Sequence, residues 1–291
     1  MARSSARATV GAAAPLDPEP RGGYVLPIAA EDSVRILVTN DDGITAPGLA
    51  VAEAIAAEIA GPGGEVWTVA PEMERSGVSH CISYTRPMRL VELGERRFAV
   101  EGNPADCVIL GLHHILKDGP PDLVLSGVNR GHNVAEDAVY SGTIGGAKEA
   151  ALQGVRAVAL SQFYTREPHR PDEVFDPARA FGVEAVRRVL GCPWEPDIFY
   201  NVNFPAYRPD AIQGFALTDQ GRRSAGVFDC VEALSPSGRR FFWLAHRTRN
   251  RTAPPGTDAA MGAEGWITVT PMRPRIAAED LFDAARTALS G

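Results

Sequence analysis

This chain of 291 residues is short of several things, and each shortage removes a class of protein. No apolar run approaches the roughly 18 residues that cross a bilayer, so no membrane span is expected. Only four cysteines occur, Cys81, Cys107, Cys192 and Cys230, far apart and without a C-x-x-C pair. They read as reduced core residues of a cytoplasmic protein, not as a disulfide framework. Basic excess is lacking too: a net charge of −7 and a pI near 5.4 leave no footprint for a nucleic-acid duplex. A small anionic ligand stays compatible, because a metal ion or a ring of backbone N–H groups reverses the field locally.

Familiar catalytic signatures are missing as well. There is no G-x-S-x-G, so Ser76, Ser79 and His80 lack the elbow of a serine hydrolase. No G-x-G-x-x-G follows the first strand and no G-K-[ST] loop exists, which disfavours a dinucleotide site and a P-loop. His113 and His114 are neighbours without the spacing of a metal pair and read as surface or packing residues. The pairs Arg222-Arg223 and Arg239-Arg240 read as solvated faces.

What is present is an ordered α/β pattern. The first thirty or so residues, with "MARSSARATVGAAAP" and "PLDPEPRGGYVLP", are expected to be a disordered extension covering 1–33. The opening stretch faintly resembles a transit peptide, and its apolar part is too short for a secretory signal. From Val34 a single domain is expected over 34–291. "VRILVT", "EVWTVA", "DLVLSG", "AVALSQ" and "IFYNVNFP" are apolar, β-branched runs typical of strands buried on both faces. Between them, Pro47 and Pro104 open helices that close near Gly61 and Gly119, and "GGAKEAALQG" and "DPARAFGVEAVRRVLG" supply two more. Alternation of this kind predicts a doubly wound, mostly parallel sheet. In about 205–271, "RRFFWLAH" and "GWITVTP" alternate aromatic and polar residues, predicting antiparallel hairpins that form an arm used for self-association. "AAEDLFDAARTALS" predicts a closing amphipathic helix.

Ligands of open α/β sheets bind beyond the carboxyl ends of the strands. Three loops there carry the chemistry: Asn40-Asp41-Asp42-Gly43, "PEMERSGVSH" and "VNRGHNVAEDAVYSGT". Together they are rich in oxygen donors, as a hard divalent cation such as Mg²⁺ or Mn²⁺ requires. Two carboxylates about 4 Å apart repel by roughly 4 kcal/mol at an effective dielectric near 20, and a cation removes that penalty. An ordinary solvated Asp-Asp-Gly turn is the competing reading. "YSGTIGG" leads from a loop into a helix, where Ser141, Gly142 and Thr143 can offer donors to phosphate or simply cap the helix.

These loops, in order, resemble those of the SurE family of survival proteins, which are metal-dependent nucleotide phosphatases. N-D-D-G and A-P-G match Asn40 to Gly48; A-P…R-S-G-x-S matches Ala70 to Ser79; "GNPADCV" is close to the family's G-T-P-x-D-C-V. S-G-x-N-x-G-x-N matches Ser126 to Asn133, Y-S-G-T matches Tyr140 to Thr143, and N-x-N-x-P matches Asn201 to Pro205. T-D and T-P match Thr257-Asp258 and Thr270-Pro271. The departures are Asn103 in place of Thr and Val134-Ala135 in a stretch that is usually Gly-containing.

The resemblance implies one divalent cation per subunit held by Asp41, Asp42, Ser76 and Asn129. It implies phosphate binding at Ser141, Gly142 and Thr143, with Asn40, Gly77 and Asn133 as neighbours. It further implies hydrolysis of nucleoside 5′- or 3′-monophosphates by a metal-activated water, with short polyphosphate as a side activity. Asp41 and Asp42 are its catalytic carboxylates, and the assembly is a homodimer or homotetramer. The alternatives are a phosphatase for another small metabolite, or a nucleotide-binding module without catalysis.

Overall fold

A computed structural model describes residues 34–164, 173–223, 227–246 and 252–290. The expected extension over 1–33 lies outside these residues. In chain order the elements are β1 (Arg35–Thr39), α1 (Pro47–Ala60), β2 (Glu65–Pro71), β3 (Leu90–Gly94), β4 (Arg97–Val100) and α2 (Pro104–Leu110). Then come β5 (Leu123–Arg130), α3 (Asp137–Tyr140), α4 (Gly142–Leu152), β6 (Ala157–Gln162), α5 (Asp176–Leu190) and β7 (Phe199–Phe204). The last group is β8 (Gly214–Leu217), β9 (Phe228–Leu234), β10 (Arg240–His246), α6 (Asp258–Ala263), β11 (Trp266–Met272) and α7 (Phe282–Leu289).

The nine-stranded sheet runs β3-β4-β2-β1-β5-β6-β7-β11-β8. Its centre, β4 to β7, is parallel throughout. β1 shows why its sequence lacks alternation: Ile36 and Val38 join the core on one face and Leu37 the core on the other, all three fully buried. The first face is covered by α1 and α5, the second by α2 and α4. The chain leaves β1 through α1 towards β2, and later reaches the other side of β1 through α2 and β5. Because those crossovers lie on opposite faces, the carboxyl ends of β1 and β5 flank a topological switch point, where doubly wound sheets bind ligands.

The structure departs from the sequence expectations in several places, the first being that Cys81 and Cys230 are exposed and not core residues. "GWITVTP" is not an arm: β11 enters the main sheet, antiparallel to β7 and parallel to β8. Only β9 and β10 form a separate antiparallel hairpin. β3 and β4 make an unforeseen antiparallel edge pair with an irregular register between Glu92 and Gly94. Arg223 is no solvated cation; it is buried, with Nη2 2.7 Å from Asp137 Oδ2 and donating to the Val134 carbonyl. Its neighbours are acids of the segment after β5, which pair the buried charge and so avoid the larger cost of leaving it uncompensated.

Candidate functional site

The site is built on the β1 turn. Asn40, fully buried, donates from Nδ2 to the Gly43 carbonyl at 2.9 Å and accepts the Gly43 N–H on Oδ1 at 3.3 Å. The side chain thus closes the turn like an extra stretch of backbone. Gly43 has φ +100°, and a Cβ there would sit 3.1 Å from the backbone carbon of Met73. Only glycine lets the loop after β2 press this closely on the turn. The Arg75 N–H donates to the Asp41 carbonyl at 2.6 Å, fixing the R-S-G segment against it.

Asp41 is 3 % exposed and accepts the Thr143 hydroxyl on Oδ1 at 2.5 Å. Burial, with the charge of Asp42 added, pushes its pKa up to about 7 against the opposing bonds from Thr143. Asp42 is also raised, again chiefly by burial and further by Glu74. The backbone N–H of Arg130, 2.9 Å from Asp42 Oδ2, works the other way. Neither carboxylate has an ion-pair partner among the described residues. With Asp41 buried and Asp42 half-buried, a like-charge pair without an ion-pair partner is the arrangement that a bound cation relieves.

The two flanking loops converge on this pair. Gly142 opens α4 so close to Asp41 that a Cβ would lie 2.8 Å from its Cβ and 2.9 Å from Oδ2. Ser141 caps α4 by accepting the Ile144 N–H at 3.0 Å, and Thr143 is fully buried. Ser79 ties the R-S-G loop to the same turn, its N–H to the Tyr140 carbonyl at 2.9 Å and its hydroxyl to the Val139 carbonyl at 2.8 Å. Gly77 holds φ +76° with open space where a side chain would be.

The sequence-derived residues divide into two groups here. Asp41, Gly142 and Thr143 meet directly, and the charge of Asp42 reaches Asp41. Ser76 is exposed and donates its hydroxyl to Glu74 at 2.8 Å. Asn129, at the bulged end of β5, donates Nδ2 to the Gly131 carbonyl at 2.8 Å, which leaves Oδ1 as its free donor oxygen. Asn40 and Asn133 have structural partners instead. The Asn133 N–H reaches Asn203 Oδ1 and its Nδ2 reaches Ser161, while Asn201 donates to its carbonyl at 2.8 Å. Glu74 and Arg130, whose charges both reach Asp42, escaped the sequence reading. They lie inside two of the three chemical loops, and only their acidic and basic character marked them.

No group of three or more His, Cys, Asp or Glu side chains gathers as a metal site among the described residues. The candidate donors are two carboxylates, a hydroxyl and a carboxamide, a set that suits a hard cation.

Comparison with known proteins agrees with this geometry. The family model described as "Survival protein SurE" matches residues 36–227. A protein of Ruegeria pomeroyi named "5'-nucleotidase SurE" is 55% identical over 260 residues, spanning 88% of this chain and 100% of the relative. One of Roseobacter denitrificans, named likewise, is 54% identical over 253 residues, 86% of this chain and 97% of its own. The crystal structure of the SurE protein from Aquifex aeolicus superposes with a TM-score of 0.73 at 33% identity, covering 88% of this chain and 99% of that one.

Proposed function

Since the chain belongs to the SurE family, we propose that it is a 5′-nucleotidase, a phosphoric monoester hydrolase releasing phosphate from nucleoside monophosphates. The observation that carries this reading is the Asp41–Asp42 pair at the switch point, with Asp41 buried against the N-terminus of α4, Asp42 half-buried, and neither carboxylate in an ion pair among the described residues. Nucleoside 3′-monophosphates and short polyphosphate are the further substrates we infer.

Asp41, Asp42, Ser76 and Asn129 would hold one Mg²⁺ or Mn²⁺ per subunit. Such an ion, when bound, polarises a phosphoryl oxygen and lowers the pKa of water. Thr143 and the Arg130 N–H keep the two carboxylates oriented and favour their charged forms. Ser141, Gly142 and Thr143 form the N-terminal end of α4, where the helix dipole favours phosphate, with Gly77 in the neighbouring R-S-G loop; the Thr143 hydroxyl is already given to Asp41. Asn40 and Asn133 hold the loops that carry these groups. With a pKa near 7 in the cation-free protein, Asp41 is the carboxyl of the pair suited to hold a proton at neutral pH.

Direct attack by water is favoured because the other candidate nucleophiles are committed elsewhere. Ser79 donates to a backbone carbonyl, His80 pairs with Glu149 at 2.7 Å, and burial raises the Cys107 thiol. A homodimer or homotetramer is supported by the β9–β10 hairpin, whose Phe241, Phe242, Trp243 and Leu244 are all exposed. A cytoplasmic setting is supported by four free cysteines, and no helix among the described residues is long and apolar enough to cross a membrane.

The deciding experiment is phosphate release from AMP with added Mn²⁺ or Mg²⁺, repeated with EDTA and with Asp42→Asn. Activity should vanish with EDTA and fall at least about 100-fold in the variant, given the several kcal/mol such an ion contributes. Near-normal turnover by Asp42→Asn would sink the metal assignment, and no release from AMP by the metal-loaded protein would sink the nucleotidase.

A further inference from the structure

Arg130 is the last residue of β5, and its role in the site is split between backbone and side chain. Its N–H is fixed on Asp42 Oδ2 at 2.9 Å, so the residue cannot move away from the carboxylate pair. Its guanidinium extends outward over the ring of Tyr164, with Cζ 5.6 Å from the ring centroid. Tyr164 follows β6, the next strand of the sheet, and is 48% exposed. The guanidinium makes no hydrogen bond or ion pair among the described residues. It is therefore a cation held on an aromatic face at the rim of the site, with its five donors unspent.

The charge balance asks for such a group. Two carboxylates, one divalent cation and a phosphate monoester near −2 sum to about −2, and the helix N-terminus returns only about +0.5. Glu74 adds a further negative field at Asp42, and Arg130 is the basic side chain whose field opposes it there. Resting on the phosphatase reading above, we propose that the Arg130 guanidinium contacts the phosphoryl group of the substrate and that Tyr164 is its positioning residue. Planar, forked donors match two phosphoryl oxygens at once and meet the charge that grows on them during transfer.

The substitution that tests this is unusually clean. Arg130→Ala removes the guanidinium and keeps the backbone N–H on Asp42, and the site chain is exposed enough to leave the core untouched. Full-length wild type, Arg130→Ala, Arg130→Lys, Tyr164→Phe and Tyr164→Ala are compared with Mn²⁺ present. The readouts are inorganic phosphate affinity by calorimetry and kcat/KM on both AMP and p-nitrophenyl phosphate. Loss of a charged hydrogen-bonding group should weaken phosphate binding and both kcat/KM values together, by roughly ten- to a hundred-fold in Arg130→Ala. Arg130→Lys should fall between, Tyr164→Phe should match wild type, and Tyr164→Ala should lose phosphate affinity in part.

Phosphate affinity within about two-fold of wild type in Arg130→Ala would overturn the assignment, since that is the scale of an inert surface substitution. So would a loss confined to AMP, which would mean that Arg130 reads the nucleoside. A wild-type protein that cleaves p-nitrophenyl phosphate but not AMP would end the nucleotidase reading alone, and Arg130 would then be judged on the remaining substrate and on phosphate affinity.

Discussion

The Thr143 hydroxyl donates to Oδ1 of Asp41 at 2.5 Å, across 102 residues of sequence. This bond joins the turn after β1 to the first turn of α4, and it is made deep inside the protein, where Thr143 is fully buried. A hydrogen bond to a charged group is worth about 1.5–3 kcal/mol, enough to decide which way a buried carboxylate titrates.

Thr143→Val keeps the shape and removes that donor. Asp41 should then hold its proton more tightly, and Mn²⁺ affinity at pH 7 should fall by about ten-fold or more, while Thr143→Ser stays close to wild type. Metal titration followed by calorimetry at several pH values checks this; equal affinities for Val and Thr at pH 7 would refute it.

Proton linkage at Asp41 has a defined sign. Its pKa rises from 3.8 to about 7 on folding, so between these values the native state binds more protons than the unfolded one. That contribution is fully present below 3.8 and is lost as pH rises through about 7. In EDTA, replacing Asp41 by Asn should flatten the part of the Tm-versus-pH curve between those values. Added Mn²⁺ should raise the wild-type Tm more at pH 8 than at pH 6, because the cation competes with the proton. Thermal melts across pH, with and without metal, provide the comparison.

Gly142→Ala places a methyl carbon where Asp41 already stands, 2.8 Å from its Cβ. The α4 backbone and the β1 turn are both anchored, so the carboxylate should be displaced. Phosphate release should drop at least about ten-fold with the far-ultraviolet circular dichroism unchanged, as expected when reacting groups move by a fraction of an ångström. Activity equal to wild type would show that the two segments can part freely.

The hairpin is tested by charge. Trp243 is 68% exposed and Leu244 75%, so glutamate at both positions costs the isolated subunit little. If this face is the contact between copies, light scattering should show an oligomer for the wild type and a monomer for the double variant. A wild-type monomer would refute self-association outright.

The central sheet was legible because strands buried on both faces must be continuously apolar, as "VRILVT", "DLVLSG" and "AVALSQ" are. The carboxylate pair was legible for a related reason: chemistry collects where such strands end. β3 and β4 were missed since an edge pair is short and charged, and "LVELGERRFAV" offers no apolar run. The period of two in "GWITVTP" is the same for an arm and for a sheet strand, so periodicity could not show that β11 pairs with β7. Arg223 misled because a cation's partner lies in another loop, 86 residues away in sequence. Arg130 and Tyr164 went unremarked for the same cause: they come from successive strand ends and meet only when the sheet forms.

The bond pair between Asn40 and Gly43 has one more consequence. Fixing a residue's backbone costs about 1–2 kcal/mol in lost freedom, and here that cost falls on the folding step. A ligand arriving at Asp41 and Asp42 finds a receptacle already rigid, so little of its binding energy is diverted into ordering the chain. Swapping Asn40 for a residue unable to brace the turn should therefore speed the ligand's departure far more than it slows its arrival.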